Sequence, residues 1–328
     1  MKKLMKAIVF NKYGSIKDLS LKEVEIPKIN EDEVLLKLLF TSLNSADLDF
    51  INGHPLVRFT GLFKPGFPIL GSDLVGMVVE IGKKVTKLKV GDIVWADLSI
   101  PEKYSTFSEF TKAKEKSLQI IPKGIELADA ACLPTAGMVA YQNIYKKKSP
   151  KPNDHVLVNG AGGGIGTMLV QMLVERGAIV TAVDSSEKLD ALKTIGGKHV
   201  IDYKTNNIID LKEQYDYVYD LVCFNKLKHV KKLVKKKGTL IVLGGSVRNM
   251  LKIFILGPLL SLLANKKIKM GGWDTNNLDD LKAISQLYLD KSIKPVIDEI
   301  VPIEGLINGL GRLAEGNVVG KIVVKYDI

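Results

Sequence analysis

The sequence predicts an α/β protein in which a β-rich domain surrounds an inserted domain built on a doubly wound parallel sheet. Over the first 125 residues, short β-rich runs such as KAIVF and EVLLKLL alternate with Gly and Pro breaks, which is typical of a small, mainly antiparallel β domain. From about residue 130, apolar strands alternate with helices. That alternation is typical of a doubly wound parallel sheet.

The second part opens with the buried strand HVLVNG and the helix GIGTMLVQMLVERG. Further strands are predicted at AIVTAVD, HVIDY, YDYVYDLV and GTLIVLGG, with the lysine-rich run KKLVKKK on a solvated helix before the last of them. The chain ends with a strand–helix–strand pattern that returns to the first part. We therefore predict one domain over residues 1–130 and 275–328 and a second over residues 131–274.

Composition excludes several classes of function. Only Cys132 and Cys223 are present, which excludes a disulfide framework and a four-thiolate zinc site and predicts a reducing, cytoplasmic setting. The formal net charge is +11, but only four of the 47 basic residues are arginines, so we expect no nucleic-acid binding. The apolar run at 253–264 is too short to span a bilayer, and we expect it to be buried or to face an interface.

The stretch VNGAGGGIG lies between the apolar strand and the apolar helix, the context that a dinucleotide-binding turn requires. It fits the spacing Gly160-x-x-Gly163-x-x-Gly166. The first glycine would form the tight turn, the second would leave room for the pyrophosphate, and the third would let the helix pack closely. The free amides of the helix N-terminus, including those of Gly164 and Ile165, would face the diphosphate.

Asp184 ends the next strand, where an acid can accept hydrogen bonds from the adenosine ribose and favour NAD. Ser185 and Lys188 follow it, and Tyr203 lies near the next strand end; hydroxyls and a lysine would instead hold a 2′-phosphate. The two signals conflict, and Asp184 and Ser185 with Glu187 also suit a helix cap. We expect NAD(P), with a slight preference for NADP(H).

Several motifs in order resemble the medium-chain dehydrogenase/reductase superfamily over nearly the full chain, and most of all its zinc-free quinone oxidoreductase branch. They are TSLNSADLDFINGH, FPILGSDLVGMVVEIGKKVTKLKVGDIVWA, AACLPTAG, the glycine turn with its helix and strand, GGKHVIDY and GNVVGKIVV. The resemblance implies a GroES-like catalytic domain, a Rossmann domain, an active site in the cleft between them, and a homodimer.

The zinc alcohol dehydrogenases of this superfamily carry a cysteine where this chain has Asn44, Gly-His-Glu where it has Gly71-Ser72-Asp73, and a cysteine or aspartate near Thr135. Asn44, Ser72 and Thr135 are not credible zinc ligands, and the four-cysteine structural lobe of the family is absent. We therefore predict no zinc.

Without a Lewis acid, simple alcohol oxidation is hard, whereas a quinone or an α,β-unsaturated carbonyl accepts hydride into a delocalised anion. We expect Asn44 to donate to the substrate oxygen, and Asp47 to orient that amide or relay a proton. The alternative role for Asn44 is a simple contact within a turn, and the alternative role for Asp47 is to cap the following helix. The related quinone reductases often carry a tyrosine where this chain has Asp49, which leaves quinone specificity open.

The resemblance also places Thr135 near the nicotinamide and the backbone of Gly244 and Gly245 at its ribose or amide. It places Lys321 near the cofactor cleft, although a solvated strand lysine is an equal alternative. We expect a zinc-independent NAD(P)H-dependent reductase acting on a small carbonyl or quinone substrate. The alternatives are an alcohol or aldehyde dehydrogenase of the same superfamily, and a cofactor-binding protein with little catalysis.

Overall fold

The computed structural model of the chain describes residues 3–55, 57–99, 105–146, 149–245 and 247–327. The chain folds into two compact units. The first comprises residues 1–138, 275–290 and 295–328, and the second comprises residues 139–274 and 291–294.

These units differ from the predicted division in two short segments. Residues 131–138 belong to the first unit, where the Thr135 amide donates to the carboxylate of Asp73 (2.8 Å). Residues 291–294 belong to the second, because the backbone of Lys294 exchanges two hydrogen bonds with the side chain of Gln171.

The β-strands of the described residues are β1 (Leu4–Val9), β2 (Ser20–Glu25), β3 (Glu33–Ser42), β4 (Asp73–Ile81), β5 (Ile93–Asp97), β6 (Phe110–Lys114), β7 (Gln119–Ile120), β8 (His155–Asn159), β9 (Ile179–Asp184), β10 (His199–Asp202), β11 (Tyr215–Asp220), β12 (Val234–Val242), β13 (Lys267–Met270), β14 (Ile297–Pro302) and β15 (Lys321–Lys325). The α-helices are α1 (Ser45–Asn52), α2 (Leu127–Ala130), α3 (Met138–Ile144), α4 (Gly164–Glu175), α5 (Leu189–Thr194), α6 (Leu227–Val230), α7 (Val247–Ala264), α8 (Leu278–Leu289) and α9 (Leu306–Ala314).

The first unit is built on a mainly antiparallel sheet with the strand order β14-β15-β3-β4-β5-β7, and β6 pairs with β3. Its core is formed by apolar side chains of the strands together with those of α9. Strand β3 is buried along most of its length, since it lies between β4 and β15. This arrangement brings the ends of β3, β4, β5 and β15 into one polar cluster, described below.

The second unit contains a parallel sheet with the strand order β10-β9-β8-β11-β12-β13. If the strands of this unit are numbered 1 to 6 in chain order, this is the strand order 3-2-1-4-5-6 of a Rossmann fold. The order of the strands changes direction between β8 and β11. Ligands of such sheets bind beyond the carboxyl ends of the strands at that reversal. The α/β fold class, with a mixed and a parallel sheet, is as predicted.

The lysine-rich helix was predicted too long. The helix α6 ends at Val230, a 3₁₀ turn covers Lys231–Leu233, and Val234 then begins β12. Val234 is fully buried and pairs with Tyr215, so burial in the sheet overrides the helical pattern of the lysines.

The apolar run at 253–264 lies in α7. We expected it to be buried or to face an interface, and most of its side chains are not buried within this chain. Ile253 is buried and Leu260 is partly buried against the core, but the other large apolar side chains are exposed, with Phe254 at 75 % and Leu262 at 80 %. No helix in the described ranges is long and apolar enough to cross a membrane. That α7 faces an interface stays a prediction.

Candidate active site and cofactor cradle

The glycine turn connects β8 to α4 in the second unit. Gly160 has a φ of +85°, a conformation that favours glycine. A Cβ on Gly166 would lie 2.3 Å from the carbonyl oxygen of Gly160, so close packing of α4 on the turn forbids a side chain. These two glycines are therefore required by the fold itself.

Gly163 is different, because the protein does not fill the space beside it. A Cβ there would meet only the Gly160 oxygen, at 3.8 Å, although Gly163 is the N-cap of α4, a position where Ser, Thr, Asp or Asn would normally stabilise the helix. The first amides of the helix, at Gly164 and Ile165, have no intrahelical acceptors. A small residue beside free amides fits the close approach of a pyrophosphate.

Asp184 is largely buried, and its carboxylate is engaged within the protein. It accepts hydrogen bonds from the amides of Gly162 (2.7 Å) and Ser185 (2.9 Å) and pairs with the ammonium of Lys188 (3.4 Å). Asp184 therefore holds the glycine turn in place, and Lys188 compensates its charge. The Ser185 side chain makes no capping hydrogen bond, and the amide of the half-exposed Tyr203 donates to the backbone oxygen of Asp184 (3.1 Å).

Close packing and backbone conformation also explain why positions 244 and 245, which follow β12, are glycines. A Cβ on Gly244 would lie 2.3 Å from the backbone oxygen of Leu221, and Gly245 has a φ of +111°. Their contact with a cofactor remains a prediction.

Sequence reasoning missed Asn159 and Asp220. They end β8 and β11, at the reversal of strand order, and the amide of Asn159 donates to the carboxylate of Asp220 (2.9 Å). Their position at the last residue of two apolar strands was the available signal.

In the first unit, Asp73 at the start of β4 is the centre of a polar cluster. Its fully buried carboxylate accepts from the hydroxyl of Ser42 (2.5 Å), the side-chain amide of Asn44 (2.9 Å), the backbone amide of Thr135 (2.8 Å) and the ammonium of Lys321 (3.2 Å). The four donors come from three separate segments of the chain, so this cluster exists only in the folded unit.

Asn44 is a member of this cluster as well as the N-cap residue of α1. Besides Asp73, its amide donates to the hydroxyl oxygen of Ser72 (3.2 Å), and its carbonyl oxygen accepts from Lys321 (2.5 Å). Both amide hydrogens are thus engaged. The hydroxyl of Ser72 is half-buried and lies 3.2 Å from the Thr135 hydroxyl.

Asp47 caps α1, because its carboxylate accepts from the backbone amide of Asn44 (2.8 Å). It therefore orients Asn44 through the backbone rather than through the side-chain amide. Burial raises the pKa of Asp47 to about 7, against the lowering effects of the Asn44 hydrogen bond and the charge of Lys321.

Lys321 is buried, and its ammonium donates to the backbone oxygen of Leu43 (2.8 Å) as well as to Asn44 and Asp73. The alternative of a solvated strand lysine was wrong. Because this cation already contacts the amide oxygen of Asn44 and the carboxylate of Asp73, which align with Cys and Glu of the zinc alcohol dehydrogenases, the residues present do not fit a zinc ion.

Asp97, at the end of β5, is a further buried acid that sequence reasoning missed. It pairs with Asp73 in the strand register and is fully buried. Burial, and next the charge of Asp73, raise its pKa to about 7. An aspartate that ends the apolar strand IVWAD was the signal that would have indicated it.

Comparison with known proteins agrees with this fold. Residues 30–141 match the alcohol dehydrogenase GroES-like domain, and residues 195–324 match a family described as zinc-binding dehydrogenase. The chain is 31 % identical to a 2-methylene-furan-3-one reductase of Solanum lycopersicum, over 98 % of this chain and 79 % of the relative. It is 30 % identical to the chloroplastic NADPH-dependent alkenal/one oxidoreductase of Arabidopsis thaliana, over 98 % of this chain and 80 % of the relative.

The structure of the quinone oxidoreductase from Coxiella burnetii superposes with a TM-score of 0.87 at 24 % identity, covering 98 % of this chain and 99 % of that one. The fold and these relatives define the class: the chain belongs to the medium-chain dehydrogenase/reductase superfamily, in its quinone oxidoreductase branch. The resemblance found in the sequence is confirmed.

Proposed function

We propose that the protein is a zinc-independent NAD(P)H-dependent reductase of α,β-unsaturated carbonyl compounds or quinones. The observation that carries this proposal is the polar cluster around Asp73, in which Lys321 contacts the groups that would otherwise face a metal. The names of the two curated relatives, a furanone reductase and an alkenal/one oxidoreductase, support the same class of substrate.

The glycine turn fits the cofactor, and Gly160, Gly163 and the amides of Gly164, Ile165 and Gly166 would hold its pyrophosphate. When bound, the reduced nicotinamide supplies the hydride. The hydroxyl of Ser72 would donate to the oxygen on which negative charge develops. Asn44 donates to the Ser72 oxygen (3.2 Å), and the Ser72 hydroxyl can donate to the substrate when Thr135, 3.2 Å away, is the donor of the bond between the two hydroxyl groups. Asn44 thus acts through Ser72, and Asp47 holds Asn44.

NADP(H) is the preferred cofactor in this proposal. In an NAD site the acid at the end of the second strand is free to accept from the ribose and repels a 2′-phosphate. Here Asp184 is buried, occupied by two amides and paired with Lys188 (3.4 Å). Its charge is therefore largely compensated, so it would repel less strongly a phosphate held near Ser185, Tyr203 and the paired Lys188.

Two further expectations belong to this proposal. Both cysteines are buried and free, which supports a reducing, cytoplasmic setting. The exposed apolar side chains of α7 support a homodimer, since contiguous apolar surface of this kind commonly marks an interface.

The direct test is oxidation of NADH and of NADPH with one enone, one quinone and one aldehyde. We expect turnover with the enone or the quinone, faster with NADPH, and little with the aldehyde. Failure of all six pairs would refute the reductase proposal. Turnover of the aldehyde that depends on added zinc would instead favour an alcohol dehydrogenase.

A further inference from the structure

The positive charge of the chain is concentrated in one segment of the second unit. Residues 221–273 contain twelve of the 47 basic residues and none of the 36 acidic ones. Eleven of these twelve are lysines, and the rest of the chain is nearly neutral. The segment comprises α6, β12, α7 and β13. The excess positive charge of the whole protein therefore lies in this segment, which favours anionic ligands.

A groove lies between α6 and α7 within this segment. The helix α6 has four residues because β12 begins soon after it, whereas α7 has 18 residues. The shorter helix leaves one side of α7 uncovered. The resulting groove is lined by residues of 223–231 and of α7 and has a volume of about 650 Å³. This volume lies in the range of sites that bind small molecules.

The floor of the groove is apolar. Ile253 is buried in the core of the second unit, and Leu227 and Leu260 pack against that core. Leu256 is 44 % exposed and Phe224 is 87 % exposed. All five side chains line the groove. They form an apolar strip that an alkyl chain would remove from water, which stabilises binding in proportion to the area covered.

Lysines and no acidic residue line the same groove; the lysines are Lys226, Lys228, Lys231 and Lys252. Among the described residues the ion pairs of this region involve other lysines, such as Lys235 with Asp216 (2.8 Å), and none of these four. Lysine side chains lay their methylene groups on apolar surface and keep the ammonium group in water. Ammonium groups around an apolar floor are complementary to a molecule with an alkyl chain and an anionic head.

We propose that this groove binds a single-chain anionic lipid, such as a long-chain carboxylate. The alkyl chain lies along Leu227, Leu256 and Leu260, and the lysine ammonium groups hold the head. The groove contains no residue of the glycine turn or of the polar cluster, so this site does not depend on the proposed reductase activity. It also differs from the expected dimer contact, because the exposed side chains of Phe254 and Leu262 do not line it.

The first test is calorimetric titration of the full chain with octanoate, decanoate and dodecanoate below the concentrations at which they form micelles. We expect the dissociation constant to fall roughly threefold for each added methylene group and to rise with ionic strength. Dodecyltrimethylammonium has the same chain length and a positive head, and it should bind at least about tenfold more weakly than dodecanoate. Equal binding of these two molecules would overturn the proposal.

Two double variants test the lysines. Lys226→Gln with Lys228→Gln should raise the dissociation constant of dodecanoate about fivefold, since each exposed charge contributes modestly. The matched control is Lys232→Gln with Lys236→Gln, which removes two exposed lysines of the same segment that do not line the groove. This control should bind dodecanoate nearly as wild type does. Equal losses for the two double variants would show a general effect of net charge and would overturn the site.

A second pair of variants tests the apolar floor. Leu256→Gln should weaken dodecanoate binding about tenfold, whereas Leu262→Gln, on the same helix but outside the groove, should leave it unchanged. Sedimentation of the same preparations reports the oligomeric state. If Leu256→Gln dissociated a wild-type dimer, the groove would be a contact between two copies and the proposal would fail.

A flotation experiment distinguishes a single lipid molecule from a membrane surface. The wild-type chain is mixed with phosphatidylglycerol vesicles, with and without dodecanoate. Flotation with the vesicles by a chain that shows no calorimetric binding of dodecanoate would overturn the proposal in favour of a membrane surface. Saturable binding of dodecanoate in solution, lost in Leu256→Gln and kept in Leu262→Gln, would support the groove.

Discussion

The glycine turn of the second unit and the polar cluster of the first unit are built in opposite ways. The turn is a continuous stretch of backbone in which three glycines make room, and Asp184 fastens it from the next strand through the amide of Gly162. The cluster consists of side chains from β3, β4, β15 and the Thr135 segment, held together by the buried charge of Asp73. The turn should therefore be most sensitive to side chains added at its glycines, and the cluster should be most sensitive to the loss of a buried charge.

The largest expected effect is on the cluster. Lys321→Met removes the cation from Asp73, and breaking a buried pair in this way costs about 3–5 kcal/mol of unfolding free energy. The double variant Lys321→Met with Asp73→Asn should recover part of that loss, measured by urea unfolding in a double-mutant cycle. The control is Lys112→Met, whose ion pair with Glu33 is more exposed, and which should cost about 1 kcal/mol or less. Equal losses for the two lysine variants would contradict a charge-held cluster.

The next effect tests the turn, where two glycines should differ. Gly166→Ala forces a Cβ against the Gly160 oxygen and should destabilise the protein by about 1–3 kcal/mol. Gly163→Ala should leave the melting temperature nearly unchanged, because its Cβ meets only an atom at 3.8 Å. It should instead weaken NADPH binding, measured by calorimetry. If Gly163→Ala bound NADPH as wild type does, the pyrophosphate would not pass this residue.

A smaller effect is expected from Asn44→Ala. It removes the donor to Ser72 and should lower enone turnover about tenfold, or about 1.4 kcal/mol of transition-state free energy. The NADPH dissociation constant should stay nearly unchanged, since the turn belongs to the other unit. Steady-state kinetics and calorimetry on the same preparation check both values, and wild-type turnover would remove Asn44 from the mechanism.

A further effect is a pH dependence at the cap of α1. The pKa of Asp47 rises from its ordinary value of 3.8 to about 7 on folding, so the folded state binds more protons between these values. Unfolding free energy should therefore fall as the pH rises from about 4 to 7 and level off above. Asp47→Asn keeps an acceptor for the Asn44 amide and should show a smaller fall. A variant with the wild-type slope would show that Asp47 does not titrate between these pH values.

Sequence patterns predicted the fold class, the turn and the absence of credible zinc ligands, because each depends on local spacing or residue type. They mispredicted the lysine run before Val234 and left open whether α7 is buried or faces an interface. The periodicity of apolar residues along the sequence cannot show that Val234 pairs with Tyr215 in the sheet. Nor can it tell that Phe254 lies on an uncovered helix face.

The sequence by itself determined that the chain has a glycine turn between a strand and a helix and no credible zinc ligand at Asn44, Ser72 and Thr135, since glycine spacing and ligand chemistry are properties of residue types in order. Only the tertiary structure decided which charged and polar groups lie together around these positions. Asn44, Asp73, Asp97 and Lys321 are distant along the chain, and their protons and charges depend on burial beside one another. That proximity, and the desolvation that comes with it, exists only after the strands have paired.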